Sequence, residues 1–385
     1  GGSTPCRKLL GIKNDKTNRL FVLYMTKHKN KTAYNKKYPF VSICTPTFNR
    51  RPFIKTMFEC FKNQDYPKNR MEWIIVDDGT DKIKDLIETS NIPQIRYFEL
   101  DKKITLGAKR NYMHKHVKGS IIVYMDDDDY YPPERVSHSV EMLLKDDKVM
   151  CGGTSEIYLY FKTMKKMIQA GPYGPNHATA GTFAFKTKLL EDTKYNDTAA
   201  LAEEREFLKG YTVPFVQFDP LKTILVFSHE HNTFDKREMF KTSHPDYFKE
   251  SPKTVDMFIR KEHESPIKQF FLEDIDELLD NYKPGLPNMK PDVLTQIEKI
   301  KKERTEAIEK HQLQQNGPIM LQQGDGKPPI ELNHQQVVQF IKQLQQTNEQ
   351  LVQQNSQIQN AYNHLQNVIV TMENTIIETK KLIPQ

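Results

Sequence analysis

The chain has 385 residues, enough for two or three structural units, and its 56 Lys plus Arg against 50 Asp plus Glu leave a modest net charge of +6. The basic residues are scattered with no dense stripe, which argues against a nucleic-acid partner. No apolar run approaches the roughly 18 residues of a membrane span, no signal peptide is read, and four cysteines without C-x-x-C spacing fit a reducing, cytoplasmic setting without disulfides or zinc.

Gly1-Gly2-Ser3 reads as a vector remnant. Residues 1–38, rich in Lys and Asn, read as an extension with room for one strand at Leu20-Phe21-Val22-Leu23-Tyr24. From Pro39 the pattern alternates. Phe40–Cys44, Trp73–Val76, Ile95–Phe98 and Ser120–Met125 predict strands; Phe53–Asn63, Ile83–Thr89, Gly107–Val117 and Glu134–Leu144 predict helices. Short apolar strands alternating with helices predict an α/β domain, residues 39–245, with a mostly parallel sheet covered on both faces. Past the last of these helices the pattern loosens, with strands expected at Thr182–Phe185 and Thr223–Phe227. Residues 246–315 read as a helical region interrupted at Lys283-Pro284-Gly285 and Pro287, and the Gly/Pro-rich residues 316–330 as a linker.

Residues 331–385 change character. Apolar residues recur at 3-4 spacing through Val337, Ile341, Leu344, Leu351, Ile358, Tyr362, Leu365, Ile369, Met372 and Ile376, with Asn348 and Asn355 at a positions. This predicts a coiled coil and hence a homo-oligomer; an amphipathic helix packed on the preceding domain is the alternative reading. Asn at a favours a parallel dimer, while Phe340, Val352 and Val368 widen the seam and keep a trimer or tetramer open.

The chemistry concentrates where strands end. Tyr124-Met125 runs into Asp126-Asp127-Asp128-Asp129, and four adjacent carboxylates repel one another unless a cation joins them. Ligands bind at the ends of parallel strands, and Mn2+ or Mg2+ shares carboxylate oxygens with phosphates, so the cluster suggests a metal-bound diphosphate. Three further motifs precede it: Val41-Ser42-Ile43-Cys44-Thr45-Pro46-Thr47-Phe48-Asn49-Arg50, Trp73-Ile74-Ile75-Val76-Asp77-Asp78-Gly79-Thr80 and Leu106-Gly107-Ala108-Lys109-Arg110-Asn111.

In order and spacing these motifs resemble the GT-A glycosyltransferases of family 2, over residues 39 to about 235. The resemblance implies a Rossmann-like GT-A fold and metal-dependent, inverting transfer of a single hexose from a UDP-sugar to a hydroxyl of a protein or glycan acceptor. It assigns Pro46, Thr47 and Phe48 to the uracil cradle, and Asp77 or Asp78 to the base or ribose. Arg110 matches a basic residue near base and phosphates; a solvated helix face is its bland alternative. Asp126 and Asp128 match the outer positions of an Asp-x-Asp triplet and are the metal candidates, Asp128 as the direct ligand; Asp127 or Asp126 would touch ribose or a metal-bound water, and Asp129 caps the following helix or loop. In Ala202-Glu203-Glu204-Arg205, Glu204 matches the general base and Glu203 is the alternative; either is also an ordinary acidic first helical turn. Of His229 and His231, which alternate if the segment is extended, one is expected to complete the metal shell, with His231 preferred. Gly171–Thr182 reads as a mobile acceptor-side loop.

Two other function classes remain open. One is an oligomeric scaffold that binds nucleotide without turnover. The other is a sugar-1-phosphate nucleotidyltransferase, although the turn after the first strand lacks the glycines of such a phosphate loop. The sole tryptophan, Trp73, lies inside a strand, so the Gln-x-x-Arg-Trp motif of processive members is absent.

Overall fold

Four apolar runs pair as a parallel ladder: β1 Val41–Thr47, β2 Met71–Asp77, β3 Ile95–Glu99 and β4 Ile121–Tyr124. The computed structural model describes residues 33–201, 204–232, 246–315, 319–322 and 328–381. Helices α1 Arg51–Lys62, α2 Lys84–Thr89 and α3 Leu106–His114 connect the ladder, and α4 Arg135–Leu144 follows it. β1 sits between β2 and β4, so the chain winds outward to β3 and then returns to the other side of β1. That reversal opens a crevice at the carboxyl ends of β1 and β4.

Side chains alternate between two buried cores, as the two-residue period of a strand requires. Val41, Ile43, Trp73, Ile75, Ile121 and Val123 face one core; Cys44, Ile74, Val76, Ile122 and Tyr124 face the other. α1 opens with Pro52, whose fixed φ suits a first turn, and buries Phe53, Ile54, Met57, Phe58 and Phe61 at helical spacing. Phe61 stacks on Trp73 with centroids 4.5 Å apart. Truncating such a side chain to Ala costs about 3–5 kcal/mol.

Five short strands follow with α5: β5 Cys151–Gly153, β6 Ile157–Phe161, β7 Lys166–Ala170, β8 Ala184–Lys186, α5 Glu204–Phe207 and β9 Phe215–Gln217. β10 Val226–Ser228 and β11 Phe248–Glu250 come next. β8, β5 and β9 extend the main sheet to the order β3-β2-β1-β4-β8-β5-β9, with β8 antiparallel to both neighbours. β10, β6, β7 and β11 form a second sheet of four strands. The expected strands at 182–185 and 223–227 correspond to β8 and β10, displaced toward the C-terminus. Residues 255–289 are short, broken helical turns, including α6 Ser265–Gln269 and α7 Ile275–Asp280, before the long α8 Pro291–Gln315.

Chain contacts divide into two units, Gly1–Lys299 and Ile300–Gln385. In the second, β12 Ile319–Leu321 within the predicted linker pairs antiparallel with β13 Ile330–Leu332, which runs from the linker's last residue into the segment predicted as a coiled coil. α9 His334–Lys381 is one continuous helix of 48 residues. Asn333 and Gln336 cap it reciprocally, side chain to backbone, at 2.9 and 2.8 Å. Along α9, Leu344, Leu351, Ile358, Leu365 and Ile369 are each more than half exposed. Among the described residues no helix is long and apolar enough to cross a membrane, and Cys44, Cys60 and Cys151 are buried free thiols.

Candidate active site

The register of the parallel ladder fixes what meets in the crevice. Cys44 lies opposite Tyr124 and Thr47 opposite Asp77, so the turn after β1, the acidic turn after β2 and the carboxylates after β4 share one sheet edge. A buried polar chain anchors the last of these. Trp73 Nε1 donates to Thr45 Oγ1 at 2.9 Å, and Thr45 Oγ1 donates to the Met125 carbonyl at 2.6 Å. From the opposite side the fully buried Arg135 donates to the carbonyls of Tyr124 and Phe183 at 2.9 and 2.8 Å.

Two arginines then meet three of these carboxylates. Arg110 Nη2 lies 3.9 Å from Asp126 Oδ1. Arg50 Nε lies 3.7 Å from Asp127 Oδ1, and its Nη2 3.3 Å from Asp128 Oδ2. Burial, with the charge of Asp128, pushes the Asp127 pKa up against the pull of Arg50. Arg110 is buried, its guanidinium 4.3 Å from the Tyr124 ring centroid, so it is no solvated helix face.

Asp77 and Asp78 separate into two roles. Asp77 accepts from the Gly79 and Ile83 backbones and from the Tyr97 hydroxyl at 2.8–3.1 Å, which shapes the turn. Asp78 accepts from Ile104 N at 2.8 Å and pairs with the buried Lys109, whose ammonium also donates to Thr47 O at 3.0 Å. Phe48, almost buried, is surrounded by lysines: Lys103, Lys109 and Lys290 stand 5.4, 5.9 and 5.7 Å from its centroid. Arg50, Lys109 and Lys290 were not among the residues picked out by motif. Arg50 and Lys109 stand inside quoted motifs, where their burial was the missing signal; Lys290 carries no local signal. Burial of its ammonium, with the Arg50 charge nearby, pushes the Lys290 pKa down against the pull of Asp127 and Asp128.

The two histidines do not alternate on an extended strand. β10 ends at Ser228 and the chain turns, with Asn232 N donating to His229 O at 3.1 Å and Asn232 Oδ1 accepting from His229 N at 2.9 Å. The turn brings His229 Nε2 to 3.5 Å from Asp128 Oδ2. His231 turns instead to Tyr282, ring centroids 6.1 Å apart, and to Gly285, where a Cβ would fall 2.6 Å from its Nδ1. The expected preference for His231 beside the carboxylates is therefore not what the geometry brings together. Burial and the Arg50 charge push the His231 pKa down to about 4.

Among the described residues no three His, Cys, Asp or Glu side chains gather as a cation site. Asp128 and His229 nonetheless offer a carboxylate and an imidazole side by side, and Asp127 Oδ2 is buried without a hydrogen-bond partner. Such donors fit a divalent cation that takes its other ligands from water and phosphate.

Glu204 opens the single turn of α5, and its Oε1 accepts from Ala180 N at 3.1 Å. Glu203 lies outside the described residues. The loop 171–182 is less free than its Gly and Pro content suggests. Ala178 and Thr182 are fully buried, and Gln217 Nε2 donates to the carbonyls of Pro175 and His177 at 2.7 and 2.9 Å. A cavity of about 580 Å³, lined by Phe161, Met164, Ser228, His229, Asp276 and Asp280 among others, opens beside the His229 turn.

Residues 42–200 match the family described as glycosyl transferase family 2. A protein of Rickettsia felis named "Uncharacterized glycosyltransferase" is 31% identical over 123 residues, 30% of this chain and 19% of that protein. The putative colanic acid biosynthesis glycosyl transferase WcaA of Escherichia coli is 32% identical over 105 residues, 26% of this chain and 37% of that protein. The matched stretch is thus well under half the length of these relatives. Among solved structures, S. aureus TarS 1-349 in complex with UDP-GlcNAc overlaps 49% of this chain and 59% of that one, at 19% identity and a TM-score of 0.40.

Proposed function

Taking residues 42–200 as a family 2 glycosyl transferase domain, we propose that the chain is a metal-dependent, inverting, non-processive glycosyltransferase that moves one hexose from a UDP-sugar to an acceptor hydroxyl. The observation that carries this reading is the convergence of Asp126, Asp127 and Asp128, Phe48 and the Glu204 carboxylate at one end of the parallel sheet.

In this reading Pro46, Thr47 and Phe48 take the base, with Asp78 held beside them by Lys109. Asp128 and His229 hold the divalent cation, which when bound offsets the charge that builds on the leaving diphosphate. Arg50 and Arg110 keep the carboxylates from repelling one another before the donor arrives. Glu204 takes the proton of the acceptor hydroxyl, whose oxygen forms the new bond to the anomeric carbon. The bond from that carbon to the diphosphate breaks, and UDP leaves with the electron pair. The Ala180 N–H holds the Glu204 carboxylate in place for this. The acceptor is a protein or glycan. The exposed apolar seam of α9 assembles copies of the chain into a homo-oligomer, a parallel dimer by its Asn348 and Asn355.

The direct test is slow hydrolysis of a panel of UDP- and GDP-sugars, with and without Mn2+, by wild type and Asp128→Ala. Metal-dependent release of UDP from one donor, lost in the variant, is the expected result and names the sugar. Metal-dependent UDP binding with no turnover of any donor would leave a nucleotide-binding scaffold instead.

A further inference from the structure

The stretch Tyr282 to Gln296 lies beyond the family-matched residues 42–200, yet it is fastened to the walls of the site along its length. Tyr282 donates its hydroxyl to Asp81 Oδ2 at 2.8 Å, and Asn49 Nδ2 donates to Pro284 O at 2.8 Å. Lys103 Nζ meets Asp292 Oδ2 at 2.5 Å. Gln296 donates to Thr198 O at 2.8 Å and accepts from Ala200 N at 2.9 Å. Gly285 permits the closest approach: a Cβ there would fall 2.6 Å from His231 Nδ1 and 2.8 Å from Asn49 O. Few segments of a chain are tied to a crevice at both ends and in the middle unless they form part of it.

Between these ties stands Lys290. Its ammonium is 5.7 Å from the Phe48 centroid and within the electrostatic reach of Asp127, Asp128 and Arg50. Resting on the glycosyltransferase reading, we infer that Lys290 is a ligand of the donor's diphosphate, delivered to the site by the 282–296 strap. The phosphates of a nucleoside diphosphate sugar must run from the aromatic residue that takes the base to the carboxylates that face the cation. Lys290 lies beside the aromatic end of that path and is coupled by charge to the carboxylates at its other end. Arg50 and Arg110 already face the three carboxylates, so an anionic diphosphate brought beside them calls for further positive charge, and a lysine ammonium is a compact point charge suited to phosphate oxygens. An ammonium fixed there also stabilises the charge left on the departing phosphate.

A merely structural Lys290, neutralising Asp127 and Asp128, would affect stability and not the discrimination between phosphorylated and unphosphorylated ligands. The test therefore titrates the full chain in Mn2+ with UDP, GDP, uridine and guanosine, comparing wild type with Lys290→Met, Lys290→Gln and Lys290→Arg, each melted in parallel. The expected result is a loss of about ten- to a hundred-fold in affinity for the matching diphosphate in the Met and Gln variants, with nucleoside affinity within about twofold of wild type and most of the affinity kept by Lys290→Arg. Met and Gln variants that bind the diphosphate as wild type does would overturn the assignment. So would an Arg variant that loses as much as they do, since packing rather than charge would then be at stake. If the Met and Gln variants melt early, the Arg variant and its diphosphate-to-nucleoside ratio decide the matter. A wild type that binds neither UDP nor GDP would overturn the glycosyltransferase reading itself, which separates the two failures.

Discussion

Glu204 and Asp126 are held by consecutive residues of one turn. Ala180 donates its N–H to Glu204 Oε1 at 3.1 Å, and Gly181 packs against the Asp126 carboxylate so closely that a Cβ would fall 2.7 Å from its Oδ2. Tyr131 closes the link, accepting from Asp126 N at 2.7 Å and donating to Gly181 O at 3.2 Å. The proposed base and the acidic cluster are thus positioned by the same few backbone atoms, although they lie far apart in sequence.

Gly181→Ala should show this coupling. The added methyl must displace Asp126, because the neighbouring atoms are a carboxylate and a buried tyrosine hydroxyl. A shift of about 1 Å at a catalytic group costs on the order of a hundredfold. The expected outcome is a fall of that order in kcat/KM with a melting temperature close to wild type, read by UDP release and thermal denaturation.

Glu204→Gln keeps the shape of the side chain and removes the proposed base. kcat should fall by about 10²–10⁴-fold while the donor KM stays within a few fold. Steady-state kinetics separates this from a donor-site defect. Loss of donor affinity with kcat unchanged would move the base elsewhere.

His229 and His231 should part company under metal titration. His229→Ala should raise the Mn2+ concentration needed for UDP binding by about tenfold, the usual scale for a weakened metal shell. His231→Ala should leave the Mn2+ midpoint in place and lower the melting temperature, because His231 packs on Tyr282 and Gly285. Calorimetric titration of the EDTA-stripped protein checks both.

Stability should weaken in mild acid through His114. Its Nε2 lies 2.7 Å from the Tyr124 hydroxyl, and burial, with the Arg110 charge, pushes its pKa from 6.5 down to about 3. Between those values the unfolded chain binds a proton that the folded chain does not. Stability is therefore fully present above the unfolded value and falls as pH drops toward the folded one, by up to about 1.4 kcal/mol per pH unit. In His114→Gln the urea midpoint should fall less steeply over that window than in wild type.

A chain ending at residue 320 tests the role of α9. Isolated helices of this length bury an apolar seam against a partner or fray. The shortened chain should sediment as a monomer while the full chain sediments as an oligomer. A shortened chain that still associates would assign assembly to the first unit.

The parallel core was legible because β1, β2 and β4 are buried on both faces and read as continuous apolar runs, from Val41 to Ile122. The later strands were not. β5 and β9 are three residues each and exist only through pairing, and the β6–β7 hairpin turns at Lys165, with φ 53°, where a Gly or Asn would have flagged it. The acidic cluster announced itself by charge. The placement of His229 depended on a turn that Asn232 makes with its side chain, and the strap bearing Lys290 is a purely tertiary feature with no local pattern.

Trp73 has a use that none of these substitutions exploits. It is the only tryptophan, fully buried, stacked on Phe61, and its indole N–H reaches through Thr45 to the carbonyl of the residue preceding Asp126. The chain carries its own optical probe, wired to the acidic turn and shielded from bulk quenchers. Any movement of that turn on loading should alter the emission of a single, unambiguous fluorophore, so occupancy of the crevice can be followed in real time on unlabelled protein.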